Sequence, residues 1–348
     1  MELYDYHPRI PHHPPSSALK NMNRSKIPKI PVDTEIPLPA RGSWPASVHV
    51  FDEQSAWAIR AALAAQRPLL VRGEPGSGKS QLARAAAEVL ERLFIAEIVH
   101  TRSESQDLQW RYDAVGRLGD AQALGATNQT PEQVRKQLNQ RNYLSPGALW
   151  WVFDWESAQE QYQRGGGQYN RPVPPEGWQP LQGSVLLIDE IDKADADLPN
   201  GLLETLGNGA FSVPWLNVPI GSKPGIPTPL VVITTNEERE LPAAFVRRCL
   251  VLNLSLPEQK EQFLNTLVAR GKMHFKEHYH EDVYQEAARQ LWEDRQTAET
   301  QGVTPPGQAE YIDILRVIST LEPDLDKQME LLSKISLFAL KKHPILQG

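Results

Sequence analysis

Gly73-Glu74-Pro75-Gly76-Ser77-Gly78-Lys79-Ser80 is the stretch that decides the fold. Its spacing is G-x-x-x-x-G-K-[ST], and both flanks suit that pattern. Upstream, Pro68-Leu69-Leu70-Val71 is a short apolar run of buried-strand type. Downstream, residues 81–93 are rich in Ala, Leu and Arg and predict a helix. Glycines at 73, 76 and 78 let the backbone wrap closely and aim N–H groups at phosphate oxygens. The start of the helix adds positive partial charge. In such a loop Lys79 neutralises the β and γ phosphates and the Ser80 hydroxyl ligates Mg²⁺. Glu74, Pro75, Ser77 and Gln81 complete the stretch expected to touch the nucleotide.

Two further strand ends belong to the same reading. Val185-Leu186-Leu187-Ile188-Asp189-Glu190 is an apolar run ending in two carboxylates. In a parallel sheet ligands gather at the strand carboxyl ends. Asp189 is therefore expected to hold Mg²⁺ through its water shell, and Glu190 to orient or deprotonate the attacking water. Val231-Val232-Ile233-Thr234-Thr235-Asn236 is a third such run. Asn236 both donates and accepts, which suits holding a lytic water. Each of these runs alone has a weak meaning; in this order behind the glycine loop they are specific.

Around these strands the pattern alternates. Apolar residues recur at helical spacing over 51–66, a strand is expected over 95–99, and 107–183 is less regular and carries five of the nine tryptophans. Beyond Pro257 nearly everything is helical in pattern: 258–270, 281–297, 309–321 and 325–340. Strands alternating with helices, then helices alone, predict an α/β fold, a three-layer parallel-sheet domain followed by a small helical lid. The expected division is a proline-rich tail over 1–46, a nucleotide-binding domain over 47–256 and a lid over 257–348. The tail is read as such because prolines keep interrupting it, and His7, His12 and His13 there lack Cys or carboxylate partners. His274 and His278 stand at i and i+4, but Phe275 occupies the glutamate position of H-E-x-x-H, so a solvated helix face is expected. The tryptophans read as packing rather than base-stacking platforms.

Composition narrows the classes further. The formal charge is −7, from 36 Lys+Arg against 43 Asp+Glu, which argues against a nucleic-acid or membrane-surface role. The single cysteine, Cys249, forbids an internal disulfide and suits a reducing cytoplasm. It sits beside Leu250-Val251-Leu252 and reads as a small buried hydrophobe. No stretch approaches the ~20 apolar residues of a membrane span.

The run GEPGSGKS, then VLLIDEID, then VVITTNEERELPAAFVRRC resembles an AAA+ P-loop ATPase, and most of all its MoxR branch. The resemblance spans about 47–340. It implies that ATP and Mg²⁺ are the cofactors, and that Asn236 is the first sensor. Leu241–Arg248 is similar to the short helix that carries an arginine finger, with Arg248 the first choice and Arg247 the second. A finger acting in trans implies a homo-oligomeric ring, with a hexamer as the expected size. Tyr143-Leu144-Ser145-Pro146-Gly147-Ala148-Leu149-Trp150 resembles a MoxR stretch before the second acidic strand, and Ala210–Thr228 falls where that branch inserts a β-hairpin. The branch implies a chaperone-like remodelling activity on a protein client, such as a von Willebrand factor A-domain protein. One departure stands out: Thr304-Pro305-Pro306-Gly307-Gln308-Ala309-Glu310 lacks the lid arginine of the second sensor, with Arg316 a weak substitute. That departure keeps open an ATP-operated switch with little turnover, and no residue pattern separates ATP from GTP.

Overall fold

The computed structural model describes residues 27–167, 171–275, 278–303 and 305–339. His7, His12, His13 and Thr304 lie outside them. The described chain begins with a hairpin of β1 (Glu35–Leu38) and β2 (Ser47–Val50), paired antiparallel with Pro37 opposite Val48. Helix α1 (Glu53–Ala65) starts where the Asp52 carboxylate accepts the Ser55 N–H at 2.7 Å. Strand β3 (Leu69–Arg72), helix α2 (Lys79–Val89) and strand β4 (Leu93–Ile98) carry the chain through the glycine loop. The stretch expected to be irregular holds short elements: α3 (Ser105–Gln109), β5 (Trp110–Tyr112), α4 (Ala114–Gly125), α5 (Pro131–Gln137), β6 (Leu144–Pro146), α6 (Ala148–Phe153) and α7 (Trp155–Arg164). Next come β7 (Ser184–Asp189), α8 (Asp197–Asn208), β8 (Ala210–Phe211), β9 (Ile220–Gly221) and β10 (Leu230–Thr235). A four-residue helix α9 (Ala243–Val246) leads to β11 (Leu250–Asn253). Four helices follow: α10 (Lys260–Phe275), α11 (Glu281–Thr300), α12 (Gln308–Leu321) and α13 (Leu325–Ala339).

Five of the strands form one parallel sheet in the order β11-β3-β10-β7-β4. Side chains alternate across it, so each strand feeds two cores. Leu70, Leu186, Ile188, Val231 and Ile233 face one side and pack with Trp150, Phe153, Leu198 and Leu202 of α6 and α8. Leu69, Val71, Val185, Leu187 and Val232 face the other and pack with Ile59 of α1 and Ala83, Ala86 and Ala87 of α2. Both faces being covered explains why the strands read as unbroken apolar runs. Register fixes the functional ends: Thr235 pairs with Arg72, Ile233 with Ile188, and Ile98 with Asp189. The lid has its own core, with Phe263, Leu267, Tyr284, Leu291, Tyr311 and Leu315 buried between α10, α11 and α12.

Part of the expected tail is not a tail. Ile30 and Leu38 are buried in the core beneath α1 and α2. Arg84 of α2 donates to the carbonyls of Pro39 at 2.9 Å and Pro45 at 3.2 Å, and its guanidinium lies over the Trp44 ring. Prolines are tolerated here because β1 pairs only with β2 and its other edge needs no donor. The hairpin expected within 210–228 is present, with Phe211 opposite Ile220. Most tryptophans of the 107–183 stretch pack as expected: Trp150 is fully buried, and Trp155 lies between Trp151, tilted, and Trp178, edge-on; Trp57 on α1 is exposed. Cys249 is buried, and that burial pushes its thiol up to about 11.

Candidate functional site

Strand β3 ends in the glycine loop, whose shape needs residues without a side chain at two points. Gly73 has φ +155° and its missing Cβ would overlap the Leu254 carbonyl. Gly76 has φ +76°, and a Cβ there would overlap the Ala309 methyl. Gly78 then caps α2, whose first residue is Lys79. The loop thereby faces a helix N-terminus into a cleft of about 700 Å³ between sheet and lid.

Lys79 is buried, and its Nζ donates to the carbonyls of Gly73 at 2.7 Å and Glu74 at 2.9 Å and to Asn236 Oδ1 at 2.7 Å. Burial lowers its pKa, while Asp189, Asp192 and Glu190 pull the other way. The Ser80 hydroxyl donates to the Asp189 carboxylate at 2.9–3.0 Å. Thr234, fully buried, gives its hydroxyl proton to Asp189 Oδ1 at 2.5 Å and accepts the Glu190 N–H at 2.8 Å. Asn236 Nδ2 donates to Glu190 Oε1 at 3.4 Å. Thus Lys79, Ser80, Asp189, Glu190 and Asn236 meet as the sequence predicts. Gln81, Pro75, Gly76 and Gly78 also line the cleft. Ser77, Gly73 and Glu74 do not line the cleft; the Ser77 Oγ is buried without a hydrogen-bond partner.

Three residues at this site, Thr234, Asp192 and Lys193, carry no recognisable signal in the sequence. Thr234 looks like an ordinary strand residue, yet it ties Asp189 to Glu190. Asp192 is almost fully buried and accepts the N–H groups of Asn236 at 3.2 Å and Glu238 at 2.9 Å, which fixes the turn bearing Asn236. Lys193 lies 2.6 Å from Glu190 Oε2, and this bond raises its pKa. Glu190 itself adopts a left-handed backbone, φ +58°, which an L side chain takes only at some cost. Position 274 needs correction: His274 is not on a solvated face but lines the cleft, where burial lowers its pKa.

The two finger candidates do not reach this cleft within one chain. Arg247 and Arg248 are both exposed and face different clefts, Arg247 beside Arg72 and Arg239, Arg248 beside Gln66 and Leu203. Arg67, just past α1, holds the carbonyls of Arg247, Arg248 (2.9 Å) and Cys249 (3.4 Å). Arg316 lines the cleft but is exposed and paired with Asp313 at 3.0 Å.

The donor set fits a magnesium nucleotide. The oxygens available to such an ion are the Ser80 hydroxyl and the Asp189 carboxylate, 2.9–3.0 Å apart, hard donors of the kind Mg²⁺ takes. Among the described residues no group of three His, Cys, Asp or Glu is placed to hold a metal alone.

A search of curated proteins returned no match. Solved structures with a similar course include a point mutant of RuvB from Thermotoga maritima, 14% identical, covering 82% of this chain and 70% of that chain, with a TM-score of 0.44. Another is a protein assigned as an ATPase from Cytophaga hutchinsonii, 13% identical, covering 82% and 79%, with a TM-score of 0.34. The family described as AAA domain (dynein-related subfamily) matches residues 68–249, from the strand before the glycine loop to Cys249. That match covers just over half of the sequence, and the chain belongs to this AAA family.

Proposed function

We propose that this protein is an ATP-hydrolysing remodelling enzyme of MoxR type, working as a homo-oligomeric, hexameric ring on a protein client in the cytoplasm. One observation carries the catalytic part: the hydrogen-bonded chain Ser80–Asp189–Thr234–Glu190–Asn236–Lys79 across the ends of three adjacent strands. Lys79 leaves its carbonyl partners to meet the β and γ phosphates. Ser80 and Asp189 hold Mg²⁺, which supplies charge neutralisation on the phosphates. Glu190, steered by Asn236, takes the proton of the attacking water. Arg248 of a neighbouring subunit, or Arg247, supports the charge on the transferring phosphoryl group. The β8–β9 hairpin is the part offered to the client, for which a von Willebrand factor A-domain protein is the family's precedent. Among the described residues no helix is long and apolar enough to cross a membrane.

A second reading, a nucleotide-operated switch with little turnover, draws on the Glu190–Lys193 ion pair, which occupies the carboxylate the chemistry needs. Glu190→Gln separates the two. For an enzyme the variant binds ATP normally, hydrolyses it ~10²-fold more slowly, and retains client in a pull-down with ATP. Equal turnover by wild type and variant would establish the switch.

A further inference from the structure

Glu74 is a carboxylate inside a loop built to bind anions, and the loop's own chemistry gives no reason for it. The pattern leaves that position free, and a negative charge beside a polyphosphate opposes binding unless something neutralises it. Arg295 of α11 does so. Its Nη1 donates to Glu74 Oε2 at 2.8 Å and its Nη2 to Oε1 at 2.9 Å, a bidentate pair 221 residues apart in sequence. The Arg295 side chain is only 10% exposed. The same Nη1 donates to the Pro306 carbonyl at 2.7 Å, just before α12, and the guanidinium lies 5.8 Å from the centre of the Phe263 ring on α10. One side chain therefore joins the phosphate loop to three pieces of the lid. The surroundings are close-packed: Gly76 has no room for a Cβ beside Ala309, and a Cβ on Gly307 would stand 3.2 Å from the Pro75 carbonyl.

We propose that Arg295 is a positioning residue for the nucleotide site, cancelling the Glu74 charge and latching the lid to the phosphate loop. Nucleotide state then reaches the lid through the loop rather than through an arginine on the γ-phosphate. This rests on the nucleotide-binding reading of the glycine loop, and the controls separate the two. Arg295 touches neither the cleft wall nor the reacting atoms, so its effect on binding comes from Glu74 and from the lid.

The test titrates a fluorescent ATP analogue into wild type, Arg295→Gln, Glu74→Gln and the double variant, with Lys79→Ala as the control. Binding by wild type and its loss in Lys79→Ala establish the site itself; wild type that does not bind sinks the site and the latch with it. Arg295→Gln exposes an uncancelled carboxylate and should weaken affinity at least about tenfold. The double variant should bind at least about tenfold tighter than Arg295→Gln, to the level of Glu74→Gln alone, because the offending charge is gone. Arg295→Gln with wild-type affinity, or a double variant as weak as Arg295→Gln, overturns the proposal. A merely structural arginine would give that second result. In Glu74→Gln the Arg295 guanidinium keeps the Pro306 carbonyl and Glu299, 3.9 Å away, so that variant tests the latch where Arg295→Gln does not fold. Hydrogen exchange on Glu74→Gln supplies a second readout. In wild type, ATP should protect the amides of 73–80 and 307–310 together; in Glu74→Gln protection should persist at 73–80 and fall at 307–310. Unchanged protection at 307–310 in that variant also overturns the latch.

Discussion

The cleft has two walls of different kinds. On the sheet wall Asp189, Glu190 and Asn236 stand at or just beyond the ends of strands whose neighbours fix their height, as when Thr235 pairs with Arg72 and Ile233 with Ile188, while Lys79 and Ser80 open α2 behind the glycine loop. On the lid wall the groups come from helix surfaces, His274 and Phe275 from α10 and Gln308, Ile312 and Arg316 from α12. Position on the first wall follows from hydrogen-bond register. On the second it follows from how three helices pack around Phe263, Tyr284 and Tyr311. The two walls are joined at Arg295, which holds Glu74 of the glycine loop from α11.

The largest expected effect asks whether a third wall exists, contributed by a neighbour. Arg248→Ala should still bind ATP but lose hydrolysis by ~10³–10⁵-fold, the usual worth of such an arginine. Mixed with Lys79→Ala, also inactive, it should regain part of the rate once subunits have exchanged. Exchange without recovery, with Arg247→Ala as active as wild type, would remove the finger role from Arg248. A constant rate per subunit down to monomer concentrations would make the two walls of one chain sufficient.

Thr234→Val tests the sheet wall alone, at smaller magnitude. The valine fills the same volume but leaves Asp189 Oδ1 and the Glu190 N–H each one partner short. That should cost about 1–3 kcal/mol of stability by denaturant titration and raise the Mg²⁺ concentration needed for half-maximal turnover. An unchanged Mg²⁺ requirement would mean that Ser80 alone positions Asp189.

Where β2 meets α10 the expected effect is smaller and depends on pH. His49 of β2 is held neutral, its pKa lowered to about 4 by burial and then by Arg270, with His274 adding to this and Asp52 opposing it. Its Nε2 has no hydrogen-bond partner. Because the unfolded chain takes up a proton near pH 6.5 and the folded one does not, stability should fall as pH drops from about 6.5 to about 4. His49→Gln should flatten that part of a melting-temperature profile. A parallel profile in the variant would show that His49 titrates alike in both states.

The sheet wall was legible because its information is local. Lys79 and Ser80 follow the glycines directly, and Asp189, Glu190 and Asn236 each follow an apolar run. The link between loop and lid was not, since nothing near Glu74 or Arg295 marks them as partners, and the pairing exists only once α11 folds back onto the loop. His274 misled for the same reason: a helical stripe of His and Lys looks solvated until the sheet domain covers it. The N-terminal boundary failed on prolines, which break a central strand but not the edge of a two-stranded hairpin such as β1. Asp192 is an intermediate case, adjacent to a recognisable motif but intelligible only through the two amides it holds.

The lone cysteine has a practical consequence for all of these measurements. Cys249 is buried and its thiol stays protonated at ordinary pH, so maleimides and related reagents have little to attack. A cysteine introduced at an exposed position, such as Thr300 at the end of α11, would then be the single labelling point without any background substitution. Donor- and acceptor-labelled batches could be mixed to follow subunit exchange. With a second cysteine added on α1, a dye pair across the cleft would report lid angle as nucleotide is added.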